Sequence, residues 1–130
     1  MIVEQTFCGE LLARALPGGE DVAILAIRAP GAAPLRLPKT NYVAFQIELP
    51  DIASTQELHE AHVRKALRWL RNMNSAQRRV RLMIVCEAGR SRSAAFAEFV
   101  SEWLGLPHKG DTSEANQALL AYLRNQLPES

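Results

Sequence analysis

Apolar residues recur along this chain in two rhythms. Val22-Ala23-Ile24-Leu25-Ala26-Ile27 is unbroken, and Val80 to Val85 is interrupted only by Arg81. Continuous short runs of this kind predict strands covered on both faces. Tyr42–Leu49 has strand composition and stops at Pro50-Asp51, while Met1–Phe7 alternates weakly and predicts a short strand leading into a brief helix over Gly9–Leu16. Pro17-Gly18-Gly19 breaks the chain, and three prolines and a glycine between Ala29 and Pro38 predict a loop. Ser54 followed by Glu57 is a capping-box pattern, and the helix it opens runs to about Met73. Its expected buried stripe is Leu58, His62, Ala66, Trp69, Leu70 and Met73. Ser91 to Leu104 is apolar nearly all round, with Glu98, Ser101 and Glu102 as its wet side, so a central helix is expected; Asp111–Leu127 supplies the last one. Strands alternating with helices predict an α/β fold, with a mainly parallel central sheet flanked by helices.

Composition narrows the class. The 130 residues suit one domain spanning 1–130, with no repeat or low-complexity tract; 48% are hydrophobic and 22% charged, an ordinary globular balance. Fifteen basic against fourteen acidic residues leave +1, no global field for nucleic acid or anionic lipid. Two cysteines do not make a disulfide scaffold, no apolar run reaches membrane-spanning length, and Met1-Ile2-Val3-Glu4-Gln5 lacks a signal-peptide pattern. The expectation is a reduced, cytoplasmic protein.

The chemistry concentrates in Cys86-Glu87-Ala88-Gly89-Arg90-Ser91-Arg92-Ser93, where the third apolar strand gives way to the central helix. A strand–loop–helix turn of this length aims successive backbone N–H groups, and the positive end of the helix, into one concavity suited to a tetrahedral oxyanion. Gly89 allows backbone angles that other residues resist. A thiol beside those groups is favoured as thiolate. Arg92 can fold over the same concavity and grip two oxygens through its planar guanidinium.

This string fits the pattern C-x-x-G-x-x-R-S/T and resembles the cysteine-dependent (protein tyrosine / dual-specificity) phosphatase superfamily, most of all its compact dual-specificity branch. A looser resemblance extends from Val22 to Leu106. It implies Cys86 as the nucleophile of a phosphocysteine intermediate, Arg92 as phosphate clamp, and Ser93 as a hydrogen-bond donor to the sulfur. The loop Glu87, Ala88, Gly89, Arg90, Ser91 and Arg92 would bind phosphate. No metal and no cofactor are implied, and the substrate would be a phosphorylated protein, phosphotyrosine first, or a small phosphomonoester. Val85 stands where the family usually has histidine, which leaves activation of Cys86 to the loop N–H groups and Arg92. Low-molecular-weight phosphatases also carry a C-x5-R loop, but near the N-terminus. Two alternatives stay open: a rhodanese-like sulfurtransferase, whose loops are commonly one residue shorter, and a non-catalytic phosphate-binding module.

Expelling an alkoxide or phenoxide calls for a proton donor. The family supplies an aspartate on a separate upstream loop, and Asp51, after the Tyr42–Leu49 strand, is the best match. Asp21 falls at the opposite end of its strand, Asp111 is explained as a cap of the last helix, and Glu87 is expected to face solvent or order an arginine. Arg90 reads as solvated surface. His59-Glu60-Ala61-His62 lacks the zinc-protease spacing, since its histidines stand at i and i+3. Between Arg64 and Arg81 lie seven basic residues and no acidic one, a solvated face or a docking surface for an acidic partner; without aromatic interleaving, nucleic acid is not expected. Cys8 is either an ordinary buried thiol or a partner for Cys86 under oxidation.

Overall fold

The computed structural model describes residues 1–51 and 59–126, so the Ser54–Glu57 capping pair, Leu58 and Leu127 lie outside the described residues. Four strands, β1 (Ile2–Gly9), β2 (Val22–Arg28), β3 (Val43–Glu48) and β4 (Val80–Cys86), form an all-parallel sheet in the order β1-β4-β2-β3. Helices α1 (Glu10–Ala15), α2 (Glu60–Ser75), α3 (Arg92–Leu104) and α4 (Gln117–Asn125) flank it. The two unbroken apolar runs are the two central strands, as double coverage requires. Ala23, Leu25 and Ile27 join Leu82, Ile84 and Cys86 under α2, α3 and α4. Val22, Ile24, Ala26, Met83 and Val85 face the other way, beneath Ala13 of α1 and Leu35 of the proline-rich loop.

Three elements depart from the sequence pattern. β1 runs to eight residues because its polar members find partners: buried Gln5 donates from Nε2 to Ala97 O (3.0 Å) and Leu106 O (3.1 Å). In α2 the buried stripe is Val63, Ala66, Leu67 and Leu70, while His62, Trp69 and Met73 are half-buried. The stripe is rotated because Trp69 stacks on Phe45 of the edge strand β3 at 5.9 Å, covering the sheet's side rather than its centre. The last helix begins at Gln117, not Asp111. Asn116 caps it, accepting from Leu119 N (3.0 Å), and Asp111 instead closes a turn by accepting from Ser113 N (2.9 Å). The segment before α4 is tied to Glu98, which accepts from Thr112 Oγ1 (2.5 Å) and meets His108 Nε2 (3.1 Å).

Helix α3 matches its pattern. Ala94, Ala95 and Ala97 let it approach the sheet closely, Phe96 and Phe99 fill the core, and Gly105 ends it in the left-handed conformation at φ 70°. All four strands being parallel, Gly9, Arg28, Glu48 and Cys86 end at one edge, where loops of parallel sheets form sites. Among the described residues no helix is long and apolar enough to cross a membrane.

Candidate active site

The turn from β4 into α3 is set by two glycines packed face to face. Gly89 has φ +73°, and a Cβ there would sit 2.1 Å from Gly9 N and 2.4 Å from Cys8 C. A Cβ on Gly9 would meet Ala88 C at 2.9 Å. The loop therefore leans directly on the end of β1, and Glu10 N donates to Glu87 O across the seam (3.2 Å). The Glu87 side chain is not simply solvated. Its Oε1 accepts from Ala29 N (2.7 Å), because Ala29 lies one residue past β2 and has left the strand ladder. Ala88 and Arg90 are exposed on the loop's outer wall.

Cys86 is 1% exposed, at the floor of this loop. Gly89 N donates to its Sγ at 3.2 Å, and the thiol donates to Ser93 Oγ at 3.1 Å. Once the sulfur is ionised, the Ser93 hydroxyl can turn and donate back. Cys8 contrasts with Cys86. It stands opposite Val85, so its side chain points to the other face of the sheet, and the two thiols are not paired. Burial, then the adjacent Cys86, push the Cys8 thiol up to about 11.

Arg92, 7% exposed, donates from Nη1 to Leu49 O (3.0 Å). Its Nε is buried without a hydrogen-bond partner among the described residues. A buried guanidinium N–H left in this way is costly unless an acceptor arrives. Leu49 follows β3, so the same contact ties Arg92 to the strand exit that carries Asp51. Ser91, the residue before α3, does not cap the helix with its side chain; its Oγ donates to Asp51 Oδ1 (2.7 Å) instead. The first-turn N–H groups of α3 are thereby left to the concavity.

Asn116 was not identified from the sequence, and it joins three parts of the site. Its Nδ2 donates to Asp51 Oδ1 (2.7 Å), its backbone N donates to Ser91 O (3.0 Å), and its Oδ1 caps α4. An asparagine at this point is a usual cap signal, and it competes in the sequence with Asp111, whose carboxylate closes a turn instead. Cys86, Gly89, Ser91, Arg92, Ser93 and Asp51 are thus brought together at one sheet edge.

Other charged groups lie elsewhere. Asp21 is at the start of β2, held below the usual carboxylate range by its hydrogen bond from Arg81 Nε (2.8 Å). Asp111, held low by the Ser113 N–H, belongs to its turn. The basic stretch divides: Arg78 donates to Glu20 O (2.6 Å) and lies over Tyr42, Arg81 pairs with Asp21 and Glu4, and Arg64, Lys65, Arg68 and Arg71 stay exposed on α2. His59 and His62 contact each other at 5.5 Å, and His62 Nδ1 accepts from Glu48 N (3.4 Å). No protein-family model matches the chain, and no curated protein sequence matches it either.

Proposed function

We propose that this chain is a cysteine-dependent phosphomonoesterase acting on phosphorylated protein, with phosphotyrosine as the preferred residue. The observation that carries the reading is the pairing of a buried thiol, met by Gly89 N–H and Ser93 Oγ, with a buried Arg92 Nε that has no acceptor among the described residues. A tetrahedral dianion would satisfy both at once. The preference for phosphotyrosine rests on the resemblance of the Cys86–Ser93 string to the tyrosine and dual-specificity phosphatases. The five residues between Cys86 and Arg92 suit phosphate better than the shorter sulfurtransferase loop.

In the first step the Cys86 thiolate attacks phosphorus in line and the bond to the ester oxygen breaks. Loop N–H groups and Arg92 hold the equatorial oxygens, where they stabilise the charge of the transition state. Asp51 gives its proton to the leaving oxygen. Among the described residues the two hydrogen bonds to this carboxyl fall on Oδ1, and Oδ2 would carry the proton. In the second step water attacks the phosphocysteine, Asp51 takes its proton, and the P–S bond breaks. Ser93 then donates to the departing sulfur, and inorganic phosphate is released. The mechanism needs Cys86 reduced, as the cytoplasm would keep it.

The test is phosphate release from a small aryl phosphate under reducing conditions by the wild type, Cys86→Ser and Arg92→Ala. Turnover by the wild type alone is expected. Sulfur transfer from thiosulfate to cyanide without phosphate release would replace this reading with the sulfurtransferase.

A further inference from the structure

A groove of about 540 Å³ runs along the outer wall of the Cys86 loop, between α1 and the segment preceding α4. Ala88 and Gly89 line it, and the same Gly89 directs its N–H to the Cys86 sulfur. The groove and the phosphate cradle are therefore separated by the thickness of one loop. Phe7, Leu11 and Leu12 form its apolar side. Leu11 and Leu12 are 76% and 54% exposed, although Ala13 alone suffices to seat α1 on the sheet. The polar side carries the carboxylates of Asp111 and Glu114, with Glu87, whose Oε1 is held by Ala29 N, against one guanidinium, Arg90. Asp111 stays ionised at neutral pH, since the Ser113 N–H holds its carboxyl low.

We propose that this groove receives the residues of a phosphoprotein substrate that flank the phosphorylated side chain, and that it selects flanks combining basic and apolar residues. The inference rests on the phosphatase reading and deepens it. Two adjacent exposed leucines beside an acidic rim complement a segment with an apolar anchor and a lysine or arginine. An anionic lipid surface or an acidic segment would meet like charge. Adjacency to the cradle, one loop thickness away through Gly89, is what makes the occupant a substrate flank rather than an unrelated partner.

The experiment compares kcat/KM for two phosphotyrosyl peptides, one flanked by lysine and leucine and one by glutamate and serine, with a small aryl phosphate as reference. A preference of about tenfold for the basic–apolar peptide is expected, the size that a few exposed charge pairs and one apolar anchor supply. Asp111→Asn combined with Glu114→Lys keeps the turn at Ser113 and should lower that preference about fivefold. Leu11→Ser with Leu12→Ser should raise KM for the peptide and leave aryl phosphate turnover unchanged, both side chains being exposed. Equal kcat/KM for the two peptides, or variants that lose aryl phosphate and peptide turnover alike, would overturn the groove. So would leucine-dependent self-association with no change in peptide preference, which assigns the face to a second copy. Anisotropy of the labelled peptides on Cys86→Ser reads the same preference without turnover. Peptide selectivity in binding without phosphate release by the wild type would therefore fail the phosphatase reading and spare the groove; release without selectivity would do the reverse.

Discussion

Cys86 and Cys8 are neighbours on adjoining strands with opposite surroundings. One meets an N–H and a hydroxyl; the other is buried, with its thiol pushed up to about 11. Iodoacetate at about pH 7.5 should therefore alkylate Cys86 and spare Cys8, as read by peptide mapping. Equal labelling would contradict the difference. Asp51→Asn should lower kcat by about 10²–10⁴-fold and remove the basic limb of the pH–rate profile. Asn116→Asp offers a finer probe. It preserves a good helix cap but sets a second carboxyl where an amide donated to Asp51. Like charges favour retention of a proton, so the basic limb should move to higher pH. Unchanged limbs would show that Asn116 does nothing beyond capping. Cys86, Arg92 and Asp51 were legible because strand exits and a fixed loop spacing locate them. Asn116 was not, because its second role depends on a carboxylate far away in sequence.

At the scale of elements, the site depends on the β1 end and the Cys86 loop touching. Gly89→Ala must adopt a left-handed backbone, which alone takes ~1–2 kcal/mol, and must also push Gly9 away. The melting temperature and turnover should both fall, and Ala61→Ser, at an exposed position of α2 away from the site, serves as the control. Phe96→Ala in the middle of α3 should destabilise by about 3–5 kcal/mol in urea unfolding, since its ring is wholly buried. Elements whose apolar residues run on with little interruption, β2, β4 and α3, are readable from the chain. Those whose bounds or buried face differ from the pattern take part of their stability from polar contacts or from an edge: β1 through Gln5, α2 through Trp69 on Phe45, and α4 through Asn116. Periodicity does not encode such contacts.

Across the whole molecule, an all-parallel sheet gathers four strand ends at one edge, so residues far apart in sequence form one site. The near-neutral total charge hides a different arrangement: exposed cations on α2, and acidic groups beside the Cys86 loop. Cys8 also leaves a whole-molecule trace. Its thiol is raised in the fold from an ordinary 9.0 to about 11, so its stabilising contribution is complete below pH 9 and lost as pH rises to about 11. Urea midpoints should fall across that window, and Cys8→Ala should start lower but fall less steeply. The proposed reaction passes through a covalent phosphocysteine on Cys86. Its most direct test is mass spectrometry of protein acid-quenched during turnover of an aryl phosphate. The account predicts one phosphoryl group on the peptide containing Cys86, absent from Cys86→Ser; phosphate release that persists in Cys86→Ser, or a phosphoryl group on another residue, would contradict it.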